Sequence, residues 1–231
     1  MKLAIMQPYF LPYIGYFQLI AAVDLFIVYD NIKYTKKGWI NRNRMLRDGK
    51  DVVFSLPLKN DSDYLDVCAR ELAASFDRTK LLKQLEGAYS RAPHFTRTRS
   101  LLEEIMLYQD ANLFRYLHHS IIKVCEHLGI KTEIKISSDI DIDHSLKGQD
   151  KVIALCDAIG ASGYINAIGG IELYSKEAFR DRGIDLAFLQ TNPINYTQLD
   201  NTFVPWLSII DVIMFNSPEE IGRILTNYKL I

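Results

Sequence analysis

The sequence predicts an α/β fold: a mostly parallel, Rossmann-like sheet with an inserted hairpin and a helical middle segment. Three observations support it. Residues 3–6 and 25–29 are short apolar runs, the pattern of parallel strands buried on both faces. A helical stretch at 17–23 lies between them, and the last third again alternates strand and helix, which implies right-handed βαβ crossovers. Residues from roughly 76 to 130 have helical spacing throughout. We expect one domain over residues 1–231, with that segment as a mainly helical subdomain.

Composition narrows the function classes. The formal net charge of −1 argues against a partner held mainly through phosphate charge, such as duplex nucleic acid. No apolar run approaches the roughly 18 residues of a membrane span. Met1-Lys2-Leu3 lacks the layout of a signal peptide. Cys68, Cys125 and Cys156 lie far apart and form no CxxC, which suits a reducing cytoplasm, the expected location.

The first strand leads into Gln7-Pro8-Tyr9-Phe10-Leu11-Pro12-Tyr13-Ile14-Gly15-Tyr16. Pro8 and Pro12 exclude both a continued ladder and an immediate helix. In open parallel sheets ligands bind beyond the carboxyl ends of the strands, so Gln7, Tyr9, Tyr13 and Tyr16 fall where that crevice belongs. A surface turn whose aromatics cap the core fits the same residues. Asp30 ends the second strand and projects at the same crevice, where a carboxylate can orient an amine or act as a general base. Satisfying turn amides is the commoner use of such an Asp.

Lys33-Tyr-Thr-Lys36-Lys37-Gly38-Trp39 is a basic loop. Runs at 39–46 and 52–57 flank Asp48-Gly49 and predict an antiparallel hairpin. Alternation puts Trp39, Asn41, Asn43 and Met45 on one face and Ile40, Arg42, Arg44 and Leu46 on the other. Paired arginines suit a carboxylate or phosphate clamp, although a charge-protected edge strand explains them as well.

Residues 63–72 are ambiguous, with a short strand at 65–69. Asp77 caps a helix beginning near Arg78, Pro93 starts another, and Asn112 caps a third that Gly129 ends. His118, His119 and His127 share the third helix with Cys125 and Glu126, but without the i,i+4 pair of a helical zinc site. Asp139, Asp141, Asp143 and His144 could gather round a divalent cation, yet alternating Asp and Ile also fits a strand end. No metal and no cofactor are expected.

Residues 132–136 alternate as a strand that ends at Ser137-Ser138. A helix at 148–159 stops at Gly160. A strand at 164–166 feeds Gly169-Gly170, whose backbone amides can approach an anionic oxygen. Ser175 caps a short helix before a strand at 185–190. After Asn192-Pro193, residues 196–200 run extended, and an apolar helix at 206–215 carries Ser208 and Asp211 on one face. Asp211 in such a run needs solvent or a partner such as Arg42, Lys37 or a ligand amine, which makes it the second acidic candidate. A helix at 218–228 closes the chain.

Several of these stretches resemble the WbqC-like protein family: the loop from Gln7 to Tyr16, the strand ending in Asp30, and Trp39-Ile-Asn41-Arg42-Asn43. Gly163-Tyr-Ile-Asn-Ala-Ile-Gly169-Gly170 with Leu173-Tyr174 is similar to its glycine-rich loop. Tyr196-Thr-Gln198, Phe203-Val-Pro205 and Leu207-Ser208-Ile-Ile-Asp211 are similar to its C-terminal signature. The resemblance runs almost end to end. The family is associated with bacterial O-antigen and other surface-polysaccharide gene clusters, and a glycine (aminoacyl) transferase role has been suggested for some members. The opening loop is also similar in layout to the HxGH nucleotide loop of nucleotidyltransferase-like enzymes, with Tyr13 and Tyr16 standing where those carry histidines. Such an analogy does not establish function.

Taken with these residues, the resemblance implies a transferase attaching an amino acid (glycine-like) or small acyl group to a sugar or similar activated acceptor. Asp30 or Asp211 would orient or deprotonate the amine. Arg42 and Lys37 would hold a carboxylate or phosphate, and Asn41, Gln7 and the Gly169-Gly170 amides would polarise an oxyanion. Tyr9, Tyr13, Tyr16, Trp39, Ser138, Tyr174, Gln198 and Ser208 would complete the substrate contacts. No Ser-His-Asp or Cys-His arrangement is evident, which favours direct transfer. The partners would be an amino-acid or acyl donor and a sugar-type acceptor, and the chain is compatible with a homodimer. The alternatives are a non-catalytic small-metabolite binding protein, or a nucleotidyltransferase-like ligase lacking the usual histidines.

Overall fold

The computed structural model describes residues 1–199 and 202–231. Its centre is a six-stranded sheet built from β1 (Lys2–Met6), β2 (Leu25–Val28), β5 (Glu133–Ile136), β6 (Gly163–Ala167), β7 (Asp185–Thr191) and β8 (Tyr228–Leu230), with β3 (Arg42–Arg47) and β4 (Lys50–Ser55) forming a separate hairpin. The strand order is β5-β2-β1-β6-β7-β8, parallel throughout except for β8 against β7. The α/β architecture with a mostly parallel sheet and an inserted hairpin is therefore as the sequence predicts.

Alternation along the strands divides the core between two helical layers. Leu3, Ile5, Leu25 and Ile27 point toward α5 (Gly148–Ile159) and α6 (Lys176–Arg180), where Val152, Leu155, Cys156 and Phe179 meet them. Ala4, Phe26 and Val28 face the larger layer, which holds α1 (Ile14–Ala21), α4 (Leu113–Leu128), α7 (Ile209–Phe215) and α8 (Pro218–Leu225). The middle helices α2 (Arg78–Tyr89) and α3 (Phe95–Met106) and the hairpin pack into that same layer.

Helix ends follow their local chemistry. Asp77, Asn112 and Ser175 accept hydrogen bonds from Lys80, Arg115 and Ala178 backbone N–H groups, which satisfies first-turn donors. Gly129 and Gly160, both at φ 70°, end α4 and α5 in the left-handed conformation that glycine adopts without penalty. Asp48 and Gly49, at φ 50° and 73°, make the two-residue turn between β3 and β4.

Several boundaries differ from the sequence expectation. The hairpin strands are Arg42–Arg47 and Lys50–Ser55 in place of 39–46 and 52–57, so Trp39 and Asn41 precede the strand, and the helix expected from Pro93 starts at Phe95. α1 starts at Ile14, because Tyr13 already has the extended backbone of an N-cap and nothing after Pro12 forbids the helix. The strand expected at 65–69 is a 3-10 turn, Val67–Ala69, tethered by an antiparallel backbone bridge in which Tyr34 N–H donates to Leu65 and Val67 N–H donates to Ile32. The helix expected at 206–215 starts at Ile209: Trp206 has φ 62°, and Ser208 caps the first turn. The closing helix ends at Leu225, and Tyr228–Leu230 adds an antiparallel edge strand beside β7. Of the extended run expected at 196–200, Asp200 lies outside the described residues.

Candidate functional site

From β1, the strand order runs outward through β2 and β5 on one side and β6 and β7 on the other. In such sheets this reversal leaves a crevice beyond the carboxyl ends of the strands. A cleft of about 960 Å³ lies there. Gln7 from the end of β1, Tyr29 and Asn31 from the end of β2, and Asn166, Gly169 and Gly170 from β6 and the turn after it line the cleft. Tyr9, Tyr64 and Tyr174 add aromatic surface. Lys33, Asp66, His144, Lys147 and Lys151 supply charge or titratable nitrogen.

A second, mainly apolar cavity of about 330 Å³ shares Met6, Tyr9 and Ala167 with this cleft. Tyr13, Tyr16, Trp39, Arg44 and Trp206 line it. Trp206 is 61% exposed, and Arg44 donates to its carbonyl at 3.0 Å. The Tyr13 and Trp206 rings lie 5.6 Å apart between this cavity and a further apolar pocket of about 380 Å³.

The loop between β1 and α1 is held from outside. Leu11 sits at φ 45°, a backbone state unfavourable for an L side chain. Asn43 donates to the carbonyls of Phe10 and Leu11 at 3.1 and 2.9 Å, and Ser208 donates to Leu11 at 2.8 Å. Tyr13 folds back over Gly15, where a Cβ would lie 2.1 Å from the Tyr13 hydroxyl. A side chain at this position would have to push the Tyr13 ring aside. Gly170 is comparable, since a Cβ would meet Asn166 Nδ2 at 2.5 Å, whereas Gly169 has open space around it.

The expected site residues separate into two groups. Gln7, Tyr9, Gly169, Gly170 and Tyr174 line the larger cleft, and Tyr9, Tyr13, Tyr16 and Trp39 line the apolar cavity. Tyr16 is buried and its hydroxyl donates to the Gln7 carbonyl, so it presents ring surface only. The others lie outside both linings. Asp30, 2% exposed, accepts from Ser137 Oγ at 2.7 Å, Ser138 Oγ at 2.8 Å and Ser138 N at 3.0 Å, which ties the ends of β2 and β5 together. Asn41 precedes β3, accepting from the Tyr34 hydroxyl and donating to the Leu56 carbonyl. Arg42 donates to the Gly38 and Lys37 carbonyls and closes the basic turn, which leaves Lys37 exposed. Gln198 is fully buried, bonded to Val204 and Asp211.

Asp211 is also fully buried. Its partners are Tyr89 at 3.1 Å, Tyr196 at 2.6 Å and Gln198 at 2.6 Å, in place of the solvent, or the Arg42, Lys37 or ligand amine, that the sequence offered. Burial pushes its carboxyl above the usual range even though these three donors act the other way. Tyr89 in turn accepts from the Leu46 backbone, so one network joins the hairpin, α2 and α7.

Lys151 was not anticipated. It is 3% exposed, and among the described residues its ammonium hydrogen-bonds only the Asn31 and His144 carbonyls, both at 3.4 Å. It lies 5.0 Å from the Tyr29 ring centroid. Burial pulls its pKa down, with Asp66 and Asp30 opposing. One sequence signal existed: Lys151 and Leu155 fall at i,i+4 on the arc of α5 that packs inward. Asp66, Tyr29, Asn31 and Asn166 were missed as well, the last two because only the strand register shows that they end at one place. Burial raises the Tyr29 phenol to about 12 and the Tyr9 phenol more modestly. Among the described residues no group of three His, Cys, Asp or Glu side chains is placed to hold a metal ion, and no helix is long and apolar enough to cross a membrane.

A sequence profile described as the WbqC-like protein family matches residues 7–223. The chain belongs to this family. It is 29% identical over 218 residues, covering 93% of both chains, to a protein of Mycobacterium tuberculosis (strain ATCC 25618 / H37Rv) described as uncharacterized protein Rv1507c. No solved structure matches the chain. The WbqC-like profile begins at Gln7 and spans the loop, the hairpin, Lys151, the Gly169-Gly170 turn and Asp211.

Proposed function

We propose that this WbqC-like protein is a transferase that attaches an amino-acid (glycine-like) or small acyl group to a sugar or similar activated acceptor. The observation that supports it best is the convergence, at the end of β1, of a large cleft holding a buried lysine and an adjoining apolar cavity. Two adjoining compartments suit a donor and an acceptor held side by side, and fixed proximity supplies much of the acceleration in bimolecular transfer.

In the reaction we envisage, an amine nitrogen attacks an activated acyl carbon. A carbon–nitrogen bond forms, the bond to the leaving group breaks with its electron pair, and the nitrogen loses a proton. Asp66 is the carboxylate in the cleft lining, and we assign it to orient the amine and accept that proton. Gln7 and the amides near Gly170 would polarise the acyl oxygen. Asp30 acts as a positioning residue, fixing the strand ends behind Asn31. The phenols of Tyr9 and Tyr29 have raised pKa values and stay protonated at neutral pH, so they serve as walls and donors. That emphasis on positioning groups also favours a second reading, a non-catalytic binding protein.

Incubation with labelled glycine or acyl donors and sugar acceptors, followed by mass spectrometry, separates the two. The transferase reading expects a product whose formation falls about 100-fold in Asp66→Asn while the melting temperature is kept. Ligand-induced thermal stabilisation without any product would leave only the binding protein.

A further inference from the structure

Lys151 poses a physical question that the transferase reading leaves open. A buried ammonium with no close acceptor is costly unless something neutralises it. Its two carbonyl partners stand at the outer limit of hydrogen bonding. Asp66 and Asp30 act on it only through space. The same cleft carries two further ammonium groups, Lys33 and Lys147, both exposed, and Asp66 as the carboxylate of its lining. Its cations therefore outnumber its anions.

We infer that this cleft binds a phosphate-bearing small molecule of nucleotide size, its phosphate oxygens seated on Lys151, Lys147 and Lys33. The choice of phosphate over carboxylate rests on the cations. Among the described residues lining the cleft there is no arginine, the side chain that reads a carboxylate bidentately. Three point-charge ammoniums exceed what one carboxylate balances and suit a dianionic or diphosphate group. The volume of about 960 Å³ holds more than a phosphate. Tyr9, Tyr64 and Tyr174 offer ring faces for a base or sugar, and Asn166 offers a polar contact for its hydroxyls. This inference deepens the proposed function and rests on it for the premise that the cleft takes a substrate.

The test is isothermal titration of the full-length protein with UDP, ADP and pyrophosphate in phosphate-free buffer, with uridine, adenosine, glycine and acetate as probes lacking phosphate. At least one nucleoside diphosphate should bind, with affinity falling as salt rises. Binding should weaken about tenfold or more in Lys151→Met, which keeps the apolar stem. If Lys151→Met does not fold, the exposed-site double variant Lys33→Ala/Lys147→Ala should show a comparable loss. The inference is overturned if no phosphate probe binds the wild type, if the folded variants bind as tightly as the wild type, or if glycine or acetate binds in a Lys151-dependent way while phosphates do not. Lys151-dependent phosphate binding with no transfer product leaves this inference standing and removes the transferase. Transfer that proceeds unchanged without Lys151 does the reverse.

Discussion

Asp211 shows how a residue with the signature of a catalytic acid can be a piece of framework. Its oxygens accept from Tyr89, Tyr196 and Gln198 inside the core. Asp211→Ala would take the acceptor from the Tyr89 and Tyr196 hydroxyls, while Gln198 keeps its bond to the Val204 carbonyl, at a cost of about 2–4 kcal/mol, read as a lowered urea midpoint. The sign of the pH dependence follows from its raised pKa. The folded carboxyl holds its proton more tightly than the unfolded one, whose ordinary value is 3.8. Between that value and the raised one, stability falls as pH increases. Urea midpoints of the wild type should therefore decline relative to Asp211→Asn as pH rises through this window, and parallel curves would refute the assignment. Lys151 differs, because its cost falls on the ligand-free protein. Lys151→Met should leave ligand-free stability unchanged or higher, measured in the same way. Gly169 and Gly170 give a matched pair. Gly170→Ala forces Asn166 aside and should impair ligand binding with the fold kept, while Gly169→Ala, with open space around it, should be nearly silent. Thermal shift with and without ligand distinguishes them.

At the scale of elements, the β1–α1 loop has its shape imposed from a distance. Asn43 on β3 and Ser208 at the start of α7 both hold the Leu11 carbonyl. Asn43→Ala and Ser208→Ala should each cost about 1–3 kcal/mol, with a double variant that is not additive because the two share one acceptor. Double-mutant urea titrations test this. Gly15→Ala would drive the Tyr13 ring off the first turn of α1 and reshape the apolar cavity. Trp39 and Trp206, the chain's two tryptophans, line that cavity, so Gly15→Ala should shift intrinsic fluorescence with little change in circular dichroism. The loop's two prolines and Gly15 were legible as a rigid turn entering a helix. That Ser208 belongs to the loop's support was not legible, because it comes from a residue 197 positions away.

For the whole molecule, α2, α3 and α4 share one buried cluster with α1, α7, α8 and the hairpin. We therefore expect urea unfolding to follow one transition by both circular dichroism and tryptophan fluorescence; two separated transitions would make the helical segment an independent unit. The sequence alone determined the central strands β1 and β2, because residues buried on both faces must be apolar in unbroken runs such as 25–28, whereas the turn at Val67–Ala69 and the edge strand β8 were decided by their tertiary neighbours. It also determined the helix ends that a local cap fixes, because Asp77, Asn112, Gly129 and Gly160 act on backbone groups a few positions away; the starts of α1 and α7 and the end of α8 were not among them. The lining of the cleft was decided only in three dimensions. Gln7, Asn31, Lys151 and Asn166 come together because β1, β2 and β6 end side by side with α5 packed across them. The separation of Asp30 and Asp211 from that lining has the same origin. A carboxylate in an apolar run can face a ligand or a buried donor, and which one depends on the element packed opposite, a fact that no local window contains.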